Sequence, residues 1–418
     1  MFPRAKMAEM DIASYIKQFA RVAMTGLNLQ PGQNLVIKVE PENLDSAVAV
    51  TEEAYARGAR YVELWPESTR MTRARIDHSA KEYLDFTPAY WRERIDEFIR
   101  DRWALLSIKS PVDLSVMDGV DTERNGIVSR GVRSAQDALR RALSNDETQW
   151  TVMAVPSVKW AAAVLGRPAN DDTLLALWRA MEPILRLDHD DPAEYWKRHG
   201  QTLIERSRKL MDLKIRSLRF TAPGTDVTVP LHEKALWLGG GARTQSGIPF
   251  LPNVPTEEVF TAPQAPLVSG RVAVTRPVRV YGSRVDGAWF EFRDGSVVDY
   301  GAAEGRESLQ AFLQMDEGSR RMGEIALVDN SSPIAQSGLV FQNILLDENA
   351  TCHFALGSAY PTCLEGGTSM KDPELAAHGA NRSQQHLDFM IGSDEMDVDA
   401  ILADGSTRRI MEQGRLQV

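Results

Sequence analysis

The sequence predicts an α/β protein in two parts. A parallel-sheet α/β domain over residues 1–215 precedes a β-rich α+β domain over residues 216–418, and the second carries the candidate chemistry. Three observations lead there. The first half alternates strand-like apolar runs with helix-period segments through short joins, the pattern of βαβ units. From Ser217 onward the texture changes to short alternating strands separated by tight-turn dipeptides. The chain's 418 residues also exceed what one core ordinarily serves.

Along the first half, Ile12, Tyr15, Ile16, Phe19, Val22 and Ala23 recur at helical spacing, and Pro31-Gly32 closes that segment. Residues 34–40 read as a strand. A helix follows from Asn43 to Arg57, with an asparagine cap at its start and Gly58 at its end. Residues 59–65 give a second strand, and strand, helix, strand repeats at 103–108, 125–143 and 150–155. Polar helices fill roughly 170–213. Beyond them, strands are expected at 271–275, 278–281, 288–292 and 296–298, with Asp286-Gly287 and Asp294-Gly295 as hairpin signals. Gly239-Gly240-Gly241 lacks the strand-to-helix context of a phosphate loop, so it is read as a place where a loop passes close to another backbone or a ligand.

Composition excludes several classes. With 48 Lys and Arg against 58 Asp and Glu, the formal charge is −10, which opposes binding to a nucleic-acid backbone. No apolar run reaches the roughly 20 residues of a membrane helix. Residues 1–10 contain no apolar core of a secretory signal. Two cysteines, Cys352 and Cys363, cannot make a disulfide framework. A cytoplasmic protein is expected.

The chemistry-bearing residues cluster late. His78, His189, His199 and His232 stand without a paired ligand and read as structural or surface residues, as does His378 in its loop. His386 and Asp388 differ, because they alternate along an apparent strand and so share one face. An imidazole and a carboxylate so placed suit a divalent metal. Glu348 and His353 flank a turn into another strand, with Tyr360 on the loop after it. Glu257 and Glu258 enter a strand between prolines, and Glu324 opens a strongly apolar one. A carboxylate there is costly unless it is paired, hydrogen-bonded or metal-bound.

Four phrases in register carry a resemblance. Asn253-Val-Pro-Thr-Glu-Glu-Val-Phe-Thr-Ala-Pro263, Gly323-Glu-Ile-Ala-Leu-Val328, Asp347-Glu-Asn-Ala350 leading to His353-Phe-Ala-Leu-Gly-Ser-Ala-Tyr-Pro361, and His386-Leu-Asp-Phe-Met-Ile-Gly392 together resemble the thermophilic-type metalloaminopeptidases, the aminopeptidase T and aminopeptidase S group. The resemblance implies metal ligands at Glu258, Glu324, His353, His386 and Asp388, with Glu348 as a further one and Tyr360 as the catalytic tyrosine. It implies two divalent ions (Zn, Co or Mn), a water they activate for attack on the first peptide bond, peptides with a free N-terminus as substrates, and a homodimer. Glu324 would bridge the metals or take the proton. Glu257 stands where the family pattern has glycine before the first ligand, which leaves Glu257 and Glu258 both open. Two other readings share the residues. One is an Fe-dependent ring-cleaving dioxygenase on the same scaffold, with His353, His386 and Asp388 as a facial triad. The other is a non-catalytic binding protein stabilised by a metal.

Overall fold

A computed structural model describes residues 10–111 and 113–418. The expectation of a missing leader at the N-terminus concerns residues 1–9 and lies outside them. The Ile12–Leu27 helix starts where Asp11 accepts a hydrogen bond from the Ser14 N–H at 2.8 Å. It ends one turn before Pro31, on Asn28 in the left-handed conformation (φ 51°). Its stripe of Tyr15, Phe19, Val22 and Ala23 is buried, as helical spacing requires.

The first sheet is parallel, in the spatial order Asn253–Val254, Trp150–Met153, Ala104–Ile108, Asn34–Val39, Tyr61–Pro66. Four of these strands are the expected ones. The fifth, an edge strand of two residues, arrives from the second half of the chain. Ile334, Phe341, Leu345, Leu346 and Ala350 also pack into this core, and Trp160 Nε1 donates to the Phe341 carbonyl at 2.7 Å.

Two expectations in this half need correction. The helix read over 125–143 is two helices, Thr122–Ala135 and Asp137–Ser144, separated at Gln136 (φ −100°, ψ 8°). The buried positions Val128, Ala135, Leu139 and Ala142 stay in helical phase across that one-residue break, so periodicity does not register it. Helices at Thr69–His78, Tyr90–Arg100 and Val158–Leu165 were not anticipated.

Among the described residues the second half contains, besides two two-stranded sheets, two large antiparallel ones. One has eight strands, running from Ser296–Gly301 at one edge to Arg415–Leu416 at the other. The other has the order His386–Met390, His353–Gly357, Met322–Val328, Glu258–Thr261, Leu238–Gly239. Phe220, Phe290, Phe292, Leu327, Phe354 and Phe389 share the core of this half, with the Phe290 and Phe389 rings 4.9 Å apart. Asp294-Gly295, both at positive φ, makes the expected hairpin between Trp289–Arg293 and Ser296–Gly301. Asp286-Gly287 does not join paired strands. The neighbouring hairpin turns instead on Tyr281-Gly282, also both at positive φ, and Asp286 bridges to Glu304. Among the described residues no helix is long and apolar enough to cross a membrane.

Gly357 ends the His353–Gly357 strand opposite His386, at φ +115°, and a Cβ there would come within 2.2 Å of the Gln385 carbonyl oxygen. Gly357→Ala should therefore cost about 2 kcal/mol or more. Urea unfolding should show a lower midpoint, and an unchanged midpoint would contradict this account of the strand pair.

Candidate metal centre

Strand alternation builds the site. In the five-stranded sheet the register pairs Glu258 with Val328, Glu324 with Ala355, Ala326 with His353, Ala355 with Asp388 and Gly357 with His386. Because side chains alternate with period two, Glu258, Glu324, His353, His386 and Asp388 all project from one face. The opposite face carries Val259, Ile325, Leu327, Phe354, Leu356 and Phe389, which are core residues. Ala326 and Ala355 lie on the same face among these residues, and their small side chains leave space between the charged groups.

The geometry is close. His353 Nε2 lies 3.0 Å from Glu258 Oε2 and 3.6 Å from Glu324 Oε1. His386 Nε2 lies 3.5 Å from Asp388 Oδ1 and 3.9 Å from Glu324 Oε2. The other nitrogen of each ring meets a carbonyl: His353 Nδ1 the Thr351 oxygen at 3.2 Å, His386 Nδ1 the Ser358 oxygen at 2.8 Å. A proton on Nδ1 leaves each Nε2 as a free donor atom facing the acids, the arrangement that ligating histidines need. Two groups of three donors result, Glu258–Glu324–His353 and Glu324–His386–Asp388, with the donor atoms of each within 4.8 Å of one another. Glu324 belongs to both.

Glu348 stands in neither group. It lies at the end of the short Ile344–Glu348 helix, buried, and lines the same cavity as Asp388. Tyr360, on the loop beyond the His353–Gly357 strand, sets its ring 5.0 Å from that of His386. All seven groups line one cavity of about 140 Å³, together with Leu238, Phe260 and Trp150.

Burying these charges together is reflected in their protonation. Burial raises Glu324, and burial together with Asp388 and Glu258 raises Glu348 well above the carboxylate range. Burial opposes the charged form of His353, but Glu258 and Glu324 outweigh it and hold the pKa well above that of a free imidazole. His386 is pushed up to about 9, with Asp388 overcoming burial. Asp388 is lowered in turn, because His386 overcomes the burial that would raise it. Tyr360 is raised far above an ordinary phenol by burial, then by the acids around it, so it keeps its proton. Glu258 Oε2 and Asp388 Oδ1 are buried without an aligned hydrogen-bond partner. An acceptor left so is costly, and a divalent cation between these donors satisfies it. The residues fit such an ion.

Glu257 and Glu258 point opposite ways. Glu258 faces the cavity, whereas Glu257 Oε1 is bonded by Arg186 Nη2 and its Oε2 lies 3.2 Å from His199 Nε2. The Glu257 N–H donates to Asn349 Oδ1 at 2.7 Å. His199, read from sequence as an isolated histidine, thus belongs to a buried anchor beside the site. His232 and His378 meet each other at 3.4 Å and do not line this cavity. The glycine run does bring backbones together: a Cβ on Gly240 (φ +74°) would lie 2.1 Å from the Gly200 carbonyl oxygen, and Gly239, Gly240 and Gly241 line the cavity.

The cavity wall also holds a residue that sequence reasoning missed. Asp146 comes from the first half, at φ +52°, with one weak side-chain hydrogen bond from Trp150 Nε1 at 3.4 Å. No motif marks it. Burial pushes its pKa up to about 6. A carboxyl raised on folding gives its full support to the fold below the unfolded pKa and loses it as pH rises through the folded value. Asp146→Asn, which tolerates the same backbone, should gain on the parent by about 1 kcal/mol between pH 5 and pH 7.5. Urea unfolding of both proteins at the two pH values reads this, and a pH-independent difference would refute it.

Residues 13–416 match the model of a family described as Thermophilic metalloprotease (M29). Aminopeptidase 2 of Geobacillus stearothermophilus is 36% identical over 400 residues, covering 96% of this chain and 97% of that one. Aminopeptidase T of Thermus aquaticus is 37% identical over 401 residues, with 96% and 98% covered. Among solved structures, wild-type AmpT from Thermus thermophilus superposes with a TM-score of 0.88 at 35% identity, over 97% of this chain and 99% of that chain.

Proposed function

The chain belongs to the thermophilic metalloprotease (M29) family, and on that premise we propose that it is an aminopeptidase holding two divalent cations between Glu258 and Asp388. Family membership and the aminopeptidases it is similar to make it a metal-dependent hydrolase. The observation that carries the finer reading is the pair of donor groups sharing Glu324. One ion would take Glu258, Glu324 and His353, the other Glu324, His386 and Asp388, and Glu348, which lines the same cavity, would complete the set. Zinc, cobalt and manganese all accept this mixture of carboxylate and imidazole. The dioxygenase and binding-protein readings find no support in the family match or in these relatives.

When bound, such ions polarise a carbonyl oxygen and lower the pKa of water. The protein's own groups supply the rest. Glu324, a central buried carboxylate whose pKa burial has raised, would serve either as a ligand common to both donor groups or as the base that takes the proton of the attacking water and passes it to the departing amine. Tyr360 keeps its proton and donates a hydrogen bond to the oxygen that becomes negative. The acids around the cavity receive the α-ammonium group of a free N-terminus, which accounts for action at the first residue only. Leu238, Phe260 and Trp150 exclude water and accept an apolar side chain.

We also assign residues 1–215 and 216–418 to two structural units, with 253–254 and 334–350 crossing back to the first core. A cytoplasmic homodimer is the setting we propose. Two buried, unbridged cysteines agree with a reducing compartment.

Glu324→Gln should lower turnover of leucine p-nitroanilide by about 100-fold or more while circular dichroism stays unchanged. Near-parental turnover would eliminate the assigned role. The metal content of the purified protein should be two equivalents, and a single iron would redirect attention to oxygen chemistry. Tyr360→Phe should reduce kcat far more than it raises KM, whereas an effect on KM alone would argue against oxyanion stabilisation.

A further inference from the structure

Beside the candidate centre lies a second cleft of about 380 Å³. It is continuous with the first, since Ser144, Tyr360 and His386 line both. Its character is opposite. In a chain of formal charge −10, this wall collects Arg133, Arg140, Arg141 and Arg382, and among the described residues Asp372 is the one acid lining it.

The arginines are not equivalent. Arg140 and Arg141 both reach Asp137, at 2.6 Å each, and are exposed. Arg382 is fixed: Nη1 donates to Ser358 Oγ at 3.1 Å and to the Ala359 carbonyl at 3.2 Å, just before Tyr360, and Nε lies 2.9 Å from Asp372. Arg133 is half-buried at the end of the Thr122–Ala135 helix. It donates one hydrogen bond, to the Gln384 carbonyl at 3.1 Å, and makes no ion pair among the described residues. Burial works against its charge. Asp316, an acid acting on it through space, already accepts from Ser319, Ser383 and Gln384. A guanidinium stays charged, so Arg133, without an ion pair among the described residues, presents a planar fork toward the cleft, a shape that matches a carboxylate.

We propose that this cleft is the leaving-group subsite, and that Arg133, aided by Arg382, selects peptides bearing a carboxylate one or two residues beyond the scissile bond. The inference rests on reading the acid–histidine cluster as a peptidase centre. With the N-terminal side chain against Leu238, Phe260 and Trp150 in the first cavity, the remainder of an extended peptide advances at roughly 3.5 Å per residue. It passes Tyr360 and His386 into the arginine cleft. The carboxylate has two sources, the free C-terminus of a di- or tripeptide and an acidic side chain.

The test uses metal-loaded full-length enzyme on Leu-Gly-Gly, its C-terminal amide, and Leu-Asp-amide against Leu-Asn-amide. The free acid should exceed the amide in kcat/KM by about tenfold, mainly through KM, as one charge-assisted pair provides. Arg133→Gln, which can still donate to Gln384, should bring that ratio close to one. Arg133→Lys should restore part of it, and added salt should narrow it in the parent. A preference confined to Leu-Gly-Gly identifies the C-terminus as the source, and one confined to Leu-Asp-amide the side chain. Equal rates for charged and neutral members of both pairs, or a ratio unmoved by Arg133→Gln, would overturn the inference while leaving the peptidase reading intact. Failure to release leucine even from leucine p-nitroanilide, which carries no carboxylate, would overturn the peptidase reading and this inference with it.

Discussion

The whole arrangement depends on one constraint: four carboxylates, Glu258, Glu324, Glu348 and Asp388, are buried within reach of one another. Left to themselves they would repel and lose hydration, and burial of an uncompensated charge is among the largest penalties a fold can carry. The protein meets this with two imidazoles aimed inward, and still leaves buried acceptor atoms without an aligned donor. Such a cluster is an electrostatic deficit that protons satisfy poorly and divalent cations satisfy well. The raised pKa values of Glu324 and Glu348 are the same deficit seen from the side of protonation.

A β-sheet makes this tolerable because its period separates two environments by a single residue. Along His353-Phe354-Ala355-Leu356, alternate side chains enter the polar cavity and the aromatic core. A register slip of one residue would put histidine in the core and phenylalanine among the acids, so the apolar face fixes the position of the polar one. The Phe290, Phe354 and Phe389 contacts therefore align the donors as well as stabilising the fold. The edge of the arrangement is tied separately. Glu257, next to the first donor, is held by Arg186, His199 and Asn349, so the strand enters the site from a fixed point on the preceding helical layer.

Much of this was legible in sequence, for identifiable reasons. His386 and Asp388, two residues apart on one strand, declare a shared face directly. Glu324 opening an apolar run is conspicuous because it breaks a local rule. The parallel sheet follows from strand–helix alternation, and the Asp294-Gly295 hairpin from turn chemistry. What could not be read are the relations that depend on tertiary distance. Nothing around Asp146 or Arg133 predicts that the first half of the chain lines the cavity or its neighbour. His199 looked isolated because its partner, Glu257, is 58 residues away. The break at Gln136 was invisible because both helices keep the same apolar phase, and Asp286-Gly287 misled because the adjacent hairpin turns on Tyr281-Gly282 instead.

The contribution of the first half is more than a lid on a finished site. Electrostatic interactions in the cluster are strong only while water is excluded, and Ser144, Asp146 and Trp150 form part of the wall that excludes it. The exclusion is uneven. The His353 side chain is 1% exposed and that of His386 is 25% exposed. The open side of the centre is thus the side of His386, where the cavity joins the arginine cleft. On the proposed reading, a peptide entering there would meet positive charge first and the acidic cluster last. Its ammonium end would be drawn inward and its carboxylate end held back, so the sequence of charges along the path would orient the chain before any bond is broken.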